Sequence, residues 1–131
     1  MLILTNRQRA TSGSPYEETF GFCRAVRVGN RIIVAGTGPI EDDGTTTPGG
    51  AAAQAARCCE LIIGAIEDLG GCAKDVVRTR MFLTDFADQD AVGAVHARYF
   101  GEAKPAATMA GVAWLCGDDW KVEIEAEALI D

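Results

Sequence analysis

The 131-residue sequence predicts an α+β fold with elements in the order β-β-β-α-β-α-β-β, two helices covering one face of a six-stranded sheet. Three observations lead there. Two short β-branched runs meet at Gly29-Asn30, two longer stretches carry apolar residues at helical spacing, and the C-terminal segment alternates charged and apolar residues. With no internal repeat, low-complexity tract or linker, residues 1–131 read as one domain.

A first strand is expected near Leu2 to Arg9. Arg24 to Val28 and Arg31 to Ala35 should pair as a hairpin, because Gly29-Asn30 suits a tight turn. Residues 41–50, EDDGTTTPGG, are turn-rich and end in Thr47-Pro48, an expected N-cap followed by proline at the first helical position. From Ala51 to Leu69, the residues Ala55, Cys58, Ile62, Ile66 and Leu69 recur every three to four positions, and Gly70-Gly71 ends the pattern. That spacing predicts an amphipathic helix.

Val76 to Leu83 is strand-like, with Val77, Thr79, Met81 and Leu83 expected on one face and Arg78 and Arg80 on the other. Asp88 to Phe100 returns to helical spacing through Val92, Val95 and Tyr99, and Lys104-Pro105 breaks it. Ala106 to Leu115 and Trp120 to Ile130 are expected as two closing strands across a turn around Gly117-Asp118. Trp114, in step with Val112 and Ala110, is expected in the core under the helices, whereas Trp120 would cap a cleft or a subunit edge.

Composition excludes several functions. The net charge is −7 and the basic residues are scattered, so no basic stripe awaits a phosphate backbone and nucleic acid is not an expected partner. No apolar run approaches the roughly 18 residues of a membrane span, and MLILTNRQRA lacks the order of a signal peptide, so the protein reads as cytoplasmic with no membrane partner. Five cysteines without a Cys-x-x-Cys pair and a single histidine predict no metal site. Cys23, Cys58, Cys59, Cys72 and Cys116 read as small apolar fillers in a reducing compartment. His96, one position after core-facing Val95, reads as a surface or half-buried side chain rather than a base.

DDWKVEIEAEALI, residues 118–130, sets Glu123, Glu125 and Glu127 on one side of a strand and Val122, Ile124, Ala126 and Ala128 on the other. The apolar side belongs under the helices. Arg78 and Arg80 oppose the apolar side of their own strand, so the arginines and glutamates should share the helix-free face. Two readings stay open: an ordinary solvated face with cross-strand ion pairs, or a face closed by oligomerisation whose carboxylates line clefts and act in proton transfer.

Three stretches carry a family resemblance over nearly the whole chain from about residue 20. RVGNRIIVAGTGP (27–39), the Pro48 to Arg78 helix-and-strand unit with Ala-Ala-Gln at 52–54, and KPAATMAGVAWL followed by VEIEAEAL (104–129) resemble the Rid family of reactive intermediate deaminases, also called YjgF. The resemblance implies a chorismate-mutase-like fold assembled as a homotrimer, its sheets forming a central barrel with clefts between subunits. Well-known members hydrolyse 2-imino acids and their enamine tautomers to 2-oxo acids and ammonia without a cofactor.

Carried over by position, the family's cleft glutamate falls on Glu123. Its substrate-clamping arginine, in a Pro-Ala-Arg pattern, falls on Ala107 of Pro105-Ala106-Ala107. The cleft cysteine corresponds to Met109, the serine before the third strand's glycine to Ala35, and a cleft tyrosine to Phe22. Losing the cationic partner would remove a charge-assisted pair of about 2 to 3 kcal/mol, roughly 30- to 150-fold in affinity. Arg80 and Arg78, on the glutamate face by strand parity, come first as substitutes and Arg24, beside Phe22, after them; the plainer reading is that they simply neutralise Glu125 and Glu127. Thr37-Gly38-Pro39 would end the third strand near the cleft, as backbone donors or as a simple turn.

The resemblance therefore implies a cofactor-free imine or enamine deaminase with non-standard specificity and a small-molecule ligand, Glu123 activating water. A non-catalytic trimeric ligand-binding protein is the alternative. An endoribonuclease or translation inhibitor, a label some relatives carry, fits the acidic charge balance less well.

Overall fold

The Gly29-Asn30 turn joins strands at Ala25–Val28 (β2) and Arg31–Thr37 (β3), paired antiparallel. Gly29 alone of the two central residues has positive φ, at 62°, which is the type II′ pattern that matches strand twist. The computed structural model describes residues 6–131. They add β1 (Arg7–Ala10), β4 (Val76–Leu83), β5 (Ala106–Gly111) and β6 (Val122–Leu129), giving a six-stranded sheet in the order β1-β2-β3-β6-β4-β5. Only the β4–β5 pair is parallel. The expected first strand is met at Arg7–Ala10, and its Leu2 to Thr5 portion lies outside the described residues.

Three helices accompany the sheet, where two were expected: α1 (Pro15–Phe20), α2 (Ala51–Asp68) and α3 (Gln89–Phe100). The short α1 starts with the Ser14 side chain accepting from the Tyr16 amide and Pro15 inside the first turn. Gly21 ends it in the left-handed conformation. Helix α2 begins later than Thr47-Pro48 suggested: its N-cap is Gly50, and the Thr47 amide instead bonds the Pro39 carbonyl within the preceding loop.

The periodic residues of α2 meet their expectation, since Ala55, Cys58, Ile62, Ile66 and Leu69 are all buried. They pack with Val92, Val95 and Phe100 of α3 onto Ile32, Val34, Val122, Ile124 and Ala128 of the sheet. Each large side chain buried there contributes about 1.5–3 kcal/mol. Tyr99 sits at the edge of this core and donates its hydroxyl to Glu60. Among the described residues no helix is long and apolar enough to cross a membrane.

The C-terminal expectation needs three corrections. β5 and β6 are not hairpin neighbours: α3 carries the chain across to β5, which lies parallel to β4 at the sheet edge, while β6 inserts between β3 and β4. β5 stops at Gly111, so Trp114 lies beyond the strand and is 73% exposed rather than in the core. Register places Met109 opposite Met81, and Met109 packs against the core.

Two bulges displace side chains from simple alternation. One falls between Val76 and Arg78 on β4 against β6, so that Val76 turns inward and Val77 is exposed. The other falls between Val34 and Thr37 on β3, and it turns Thr37 into the core, where its hydroxyl donates to the Ala35 carbonyl. Cysteine usage is also divided: Cys58 and Cys59 are buried, Cys23 is half-buried, and Cys72 and Cys116 are exposed, all five as free thiols.

Candidate functional site

The strand alternation of β6 holds over its whole length, so Glu123, Glu125 and Glu127 are half-buried on the helix-free face. Two of them are spoken for. Arg80 Nη1 donates to Glu125 Oε1 at 2.9 Å across the β4–β6 ladder, and Arg31 Nη2 donates to Glu127 Oε2 at 2.8 Å from β3. Glu127 thus takes Arg31 rather than Arg78, although Arg78 is its register partner on β4. Arg78 keeps a buried Nε with no hydrogen-bond partner among the described residues.

Glu123 differs from both, since its carboxylate has no hydrogen bond or ion pair among the described residues. It faces the β3 bulge at Gly36, where a β-carbon would stand 3.3 Å from the Glu123 carboxylate. The missing side chain leaves room for the acid. Burial pushes the Glu123 carboxyl above the ordinary carboxylate value; Arg24 opposes the shift and Glu125 adds to it. The result is an unpaired carboxylate that holds a proton more readily than a surface glutamate.

Arg24, the residue before β2, acts on this carboxylate through charge. Its Nη2 donates to the Gly36 carbonyl at 2.6 Å, and its guanidinium carbon lies 5.9 Å from the Phe22 ring centroid. Its Nε is buried without a partner among the described residues. Glu17 of α1, which is buried, acts on Arg24 through charge, and the Ser12 amide and hydroxyl both donate to Glu17 Oε2. Glu17 was not singled out from the sequence. The signal was there in Ser14-Pro15-Tyr16-Glu17, an N-cap, a proline and an acid in a first helical turn.

Trp120 precedes β6 and lies against two glycines. A β-carbon on Gly38 would fall 2.3 Å from its ring, and one on Gly117 would fall 2.2 Å from Nε1. Gln54 of α2 ties the same segment down: its Nε2 donates to the Asp119 carbonyl at 3.1 Å and its Oε1 accepts from the Lys121 amide at 2.7 Å. Ala-Ala-Gln at 52–54 therefore contributes a buried amide that sets where β6, and with it Glu123, begins.

The sequence-derived residues divide into two groups. Glu123, Arg24, Phe22 and Ala35 gather at the bulged end of β3, the Ala35 amide bonding the Arg24 carbonyl. Ala107 and Met109 do not join them. On β5 they pair with Thr79 and Met81, whose side chains face the helices, so both lie on the side of the sheet opposite Glu123. Ala107 is exposed there, and Met109 helps line a small surface depression of about 150 Å³ with Leu83 and Phe86. Thr37 offers its side chain to the core and not to Glu123. Among the described residues, no group of three or more histidine, cysteine or acidic side chains is placed to hold a metal ion.

Comparison with known proteins agrees with this architecture. The family model described as Endoribonuclease L-PSP matches residues 14–130. An uncharacterized protein of Streptomyces coelicolor is 37% identical over 121 residues, covering 92% of this chain and 90% of that protein. The 3-aminoacrylate deaminase RutC of Acinetobacter baylyi is 36% identical over 83 residues, 63% of this chain and 66% of that protein. Among solved structures, a member of the YjgF/YER057c/UK114 family from Mycobacterium tuberculosis superposes with a TM-score of 0.87 at 38% identity, covering 95% of this chain and 100% of that one.

Proposed function

The chain belongs to the YjgF (Rid) family, whose model is described as Endoribonuclease L-PSP, and from that premise we propose that it is a cofactor-free hydrolase of imines or enamines. The observation that carries this reading is Glu123: a half-buried carboxylate without a partner among the described residues, held at raised pKa over the bare Gly36 backbone. Glu123 takes a proton from a water molecule while the oxygen adds to the C=N carbon, forming a tetrahedral carbinolamine. Glu123 returns that proton to nitrogen, then takes the carbinolamine hydroxyl proton and passes it to the same nitrogen as the C–N bond breaks and C=O forms, so that both water protons leave with ammonia. An enamine first takes a proton on carbon and becomes the imine. The RutC relative is named for deamination of 3-aminoacrylate, an enamine carboxylate, which is reaction chemistry of the same class.

The working unit in this proposal is a homotrimer in the cytoplasm. Ala107 and Met109 lie on an edge strand and on the opposite face from Glu123, so these positions meet Glu123 only across a boundary between subunits. With alanine at 107 no arginine enters from that edge, which sets the specificity apart from the pattern the family resemblance implies. The same replacement favours a second reading, a trimeric small-ligand binder without turnover. A ribonuclease reading finds no support in a net charge of −7.

The test is ammonia release from imines generated in situ by an amino-acid oxidase, with Glu123→Ala alongside. Turnover lost in Glu123→Ala supports the hydrolase. Binding of 2-oxo acids with no turnover of any imine selects the second reading, and a sedimentation mass other than three times 13.8 kDa removes the trimer.

A further inference from the structure

We propose that Arg24 is the anion-recognising residue of the Glu123 cleft, binding the carboxylate of a small 2-oxo, 2-imino or enamine acid from the same subunit that supplies Glu123. This deepens the hydrolase reading and rests on it for the identity of the ligand. Its grounds are the bonding and placement of one side chain.

A guanidinium carries five N–H donors, and among the described residues Arg24 uses one of them, to the Gly36 carbonyl at 2.6 Å. Among the described residues its buried Nε has no partner and Arg24 makes no ion pair, whereas Arg31, Arg57 and Arg80 all do; Arg78 shares both features but sits in register with Glu127 rather than at Gly36. A largely buried arginine normally has a paired anion, because an unpaired buried charge is strongly unfavourable. Here the two nearby carboxylates compensate by charge alone. Glu17 spends its Oε2 on the Ser12 amide and hydroxyl, and Glu123 stays outside ion-pair distance. Charge balance without hydrogen bonds leaves directed donors for something else.

Placement says what that is. Arg24 and Glu123 converge on Gly36, one through the glycine carbonyl and the other through the space a β-carbon would fill. The Phe22 ring lies 5.9 Å from the guanidinium carbon and covers one face of the group, and Nη1 makes no hydrogen bond among the described residues. In a 2-imino acid the carboxylate carbon is directly bonded to the C=N carbon. A carboxylate on Arg24 therefore brings the reacting carbon to the neighbourhood of Glu123, and a planar guanidinium offers the bidentate match that fixes its orientation. The cation that the edge position 107 lacks would then come from the opposite wall.

The experiment is a titration of the ¹⁵N-labelled protein with 2-oxobutanoate and, separately, with the neutral 2-butanone, following the Gly36 amide by NMR. Saturation by 2-oxobutanoate is expected in the wild type, with the Kd raised tenfold or more in Arg24→Gln and less in Arg24→Lys, while 2-butanone responds equally in all three. The charge-retaining Arg24→Lys carries the comparison should Arg24→Gln fail to fold. Wild-type indifference to 2-oxobutanoate overturns the proposal, and so does unchanged affinity in the Arg24 variants, or a loss seen in Arg80→Gln instead. The outcomes separate from those of the hydrolase test: Arg24-dependent binding without turnover of any imine sinks the hydrolase and leaves the anion site standing. Turnover of anionic imines with unchanged KM in Arg24→Gln does the reverse.

Discussion

Gly36 and Glu123 face each other across the β3–β6 ladder with no room for a β-carbon unless the acid moves: one on Gly36 would stand 3.3 Å from the carboxyl group. Gly36 is not among the positive-φ glycines, so alanine is tolerated by the backbone there and acts on Glu123 alone. Gly36→Ala should therefore lower kcat/KM for imine hydrolysis by about 10- to 100-fold, as small displacements of a reacting group do. Thermal melting should move by no more than a few degrees. A large loss of stability with activity per folded molecule intact would show that Gly36 serves packing rather than the acid.

Glu123 itself gives opposite signs for activity and stability. As a base it must be deprotonated, so the rate should rise with pH through an apparent pKa above the ordinary carboxylate value near 4.3, and Glu123→Gln should lose about 10²- to 10⁴-fold. For stability, a folded-state pKa raised by burial means that the favourable contribution is full below the unfolded value and is lost as pH rises through the folded one. Glu123→Gln should then melt higher than the wild type at pH 7, with the gap closing in acid. Melting curves from pH 3 to pH 8 check the sign.

Much of this site was legible from residue order, and the illegible part has a physical cause. Alternation placed Glu123, Glu125 and Glu127 on one face because β6 itself keeps its alternation and pairs with β4 without a break from Val122 to Glu127; the β3 bulge opposite it distorts β3. The bulges at Val34–Thr37 and Val76–Arg78 depend on partner strands far away in sequence, so period-two counting put Val77 inward and left Thr37 near the cleft. The insertion of β6 between β3 and β4 is equally non-local, which is why a β5–β6 hairpin looked reasonable. Glu17 was hidden differently: its role depends on α1 folding back beside Arg24, although the helix start itself was readable at Ser14-Pro15.

Gln54 is a test of how the site is held rather than how it reacts. Its amide joins α2 to both sides of Trp120, at the Asp119 carbonyl and the Lys121 amide, and it is 2% exposed. Gln54→Leu leaves both backbone groups without that partner, and each such loss costs about 1–3 kcal/mol when buried. The midpoint of denaturant unfolding should fall accordingly. Because Trp120 packs on Gly38 and Gly117, Gly38→Ala should be at least as damaging, its β-carbon meeting the ring at 2.3 Å.

His96 offers a pH test remote from Glu123. Its Nε2 lies 2.7 Å from the buried Thr79 hydroxyl, its ring is tilted against Phe100 at 5.3 Å, and burial lowers its pKa. A depressed folded-state pKa makes the neutral imidazole the native form, so its contribution is present above the unfolded value near 6.5 and is lost as pH falls through the folded value. Carboxylates titrate over lower pH and would mask this in a single curve. The difference between wild type and His96→Gln removes that background, since glutamine can bond Thr79 without titrating. The wild type should lose stability relative to His96→Gln as pH drops from 7 to 5, measured by chemical denaturation at each pH. A pH-independent difference would mean that His96 is held by its Phe100 contact and that its protonation is immaterial to the fold.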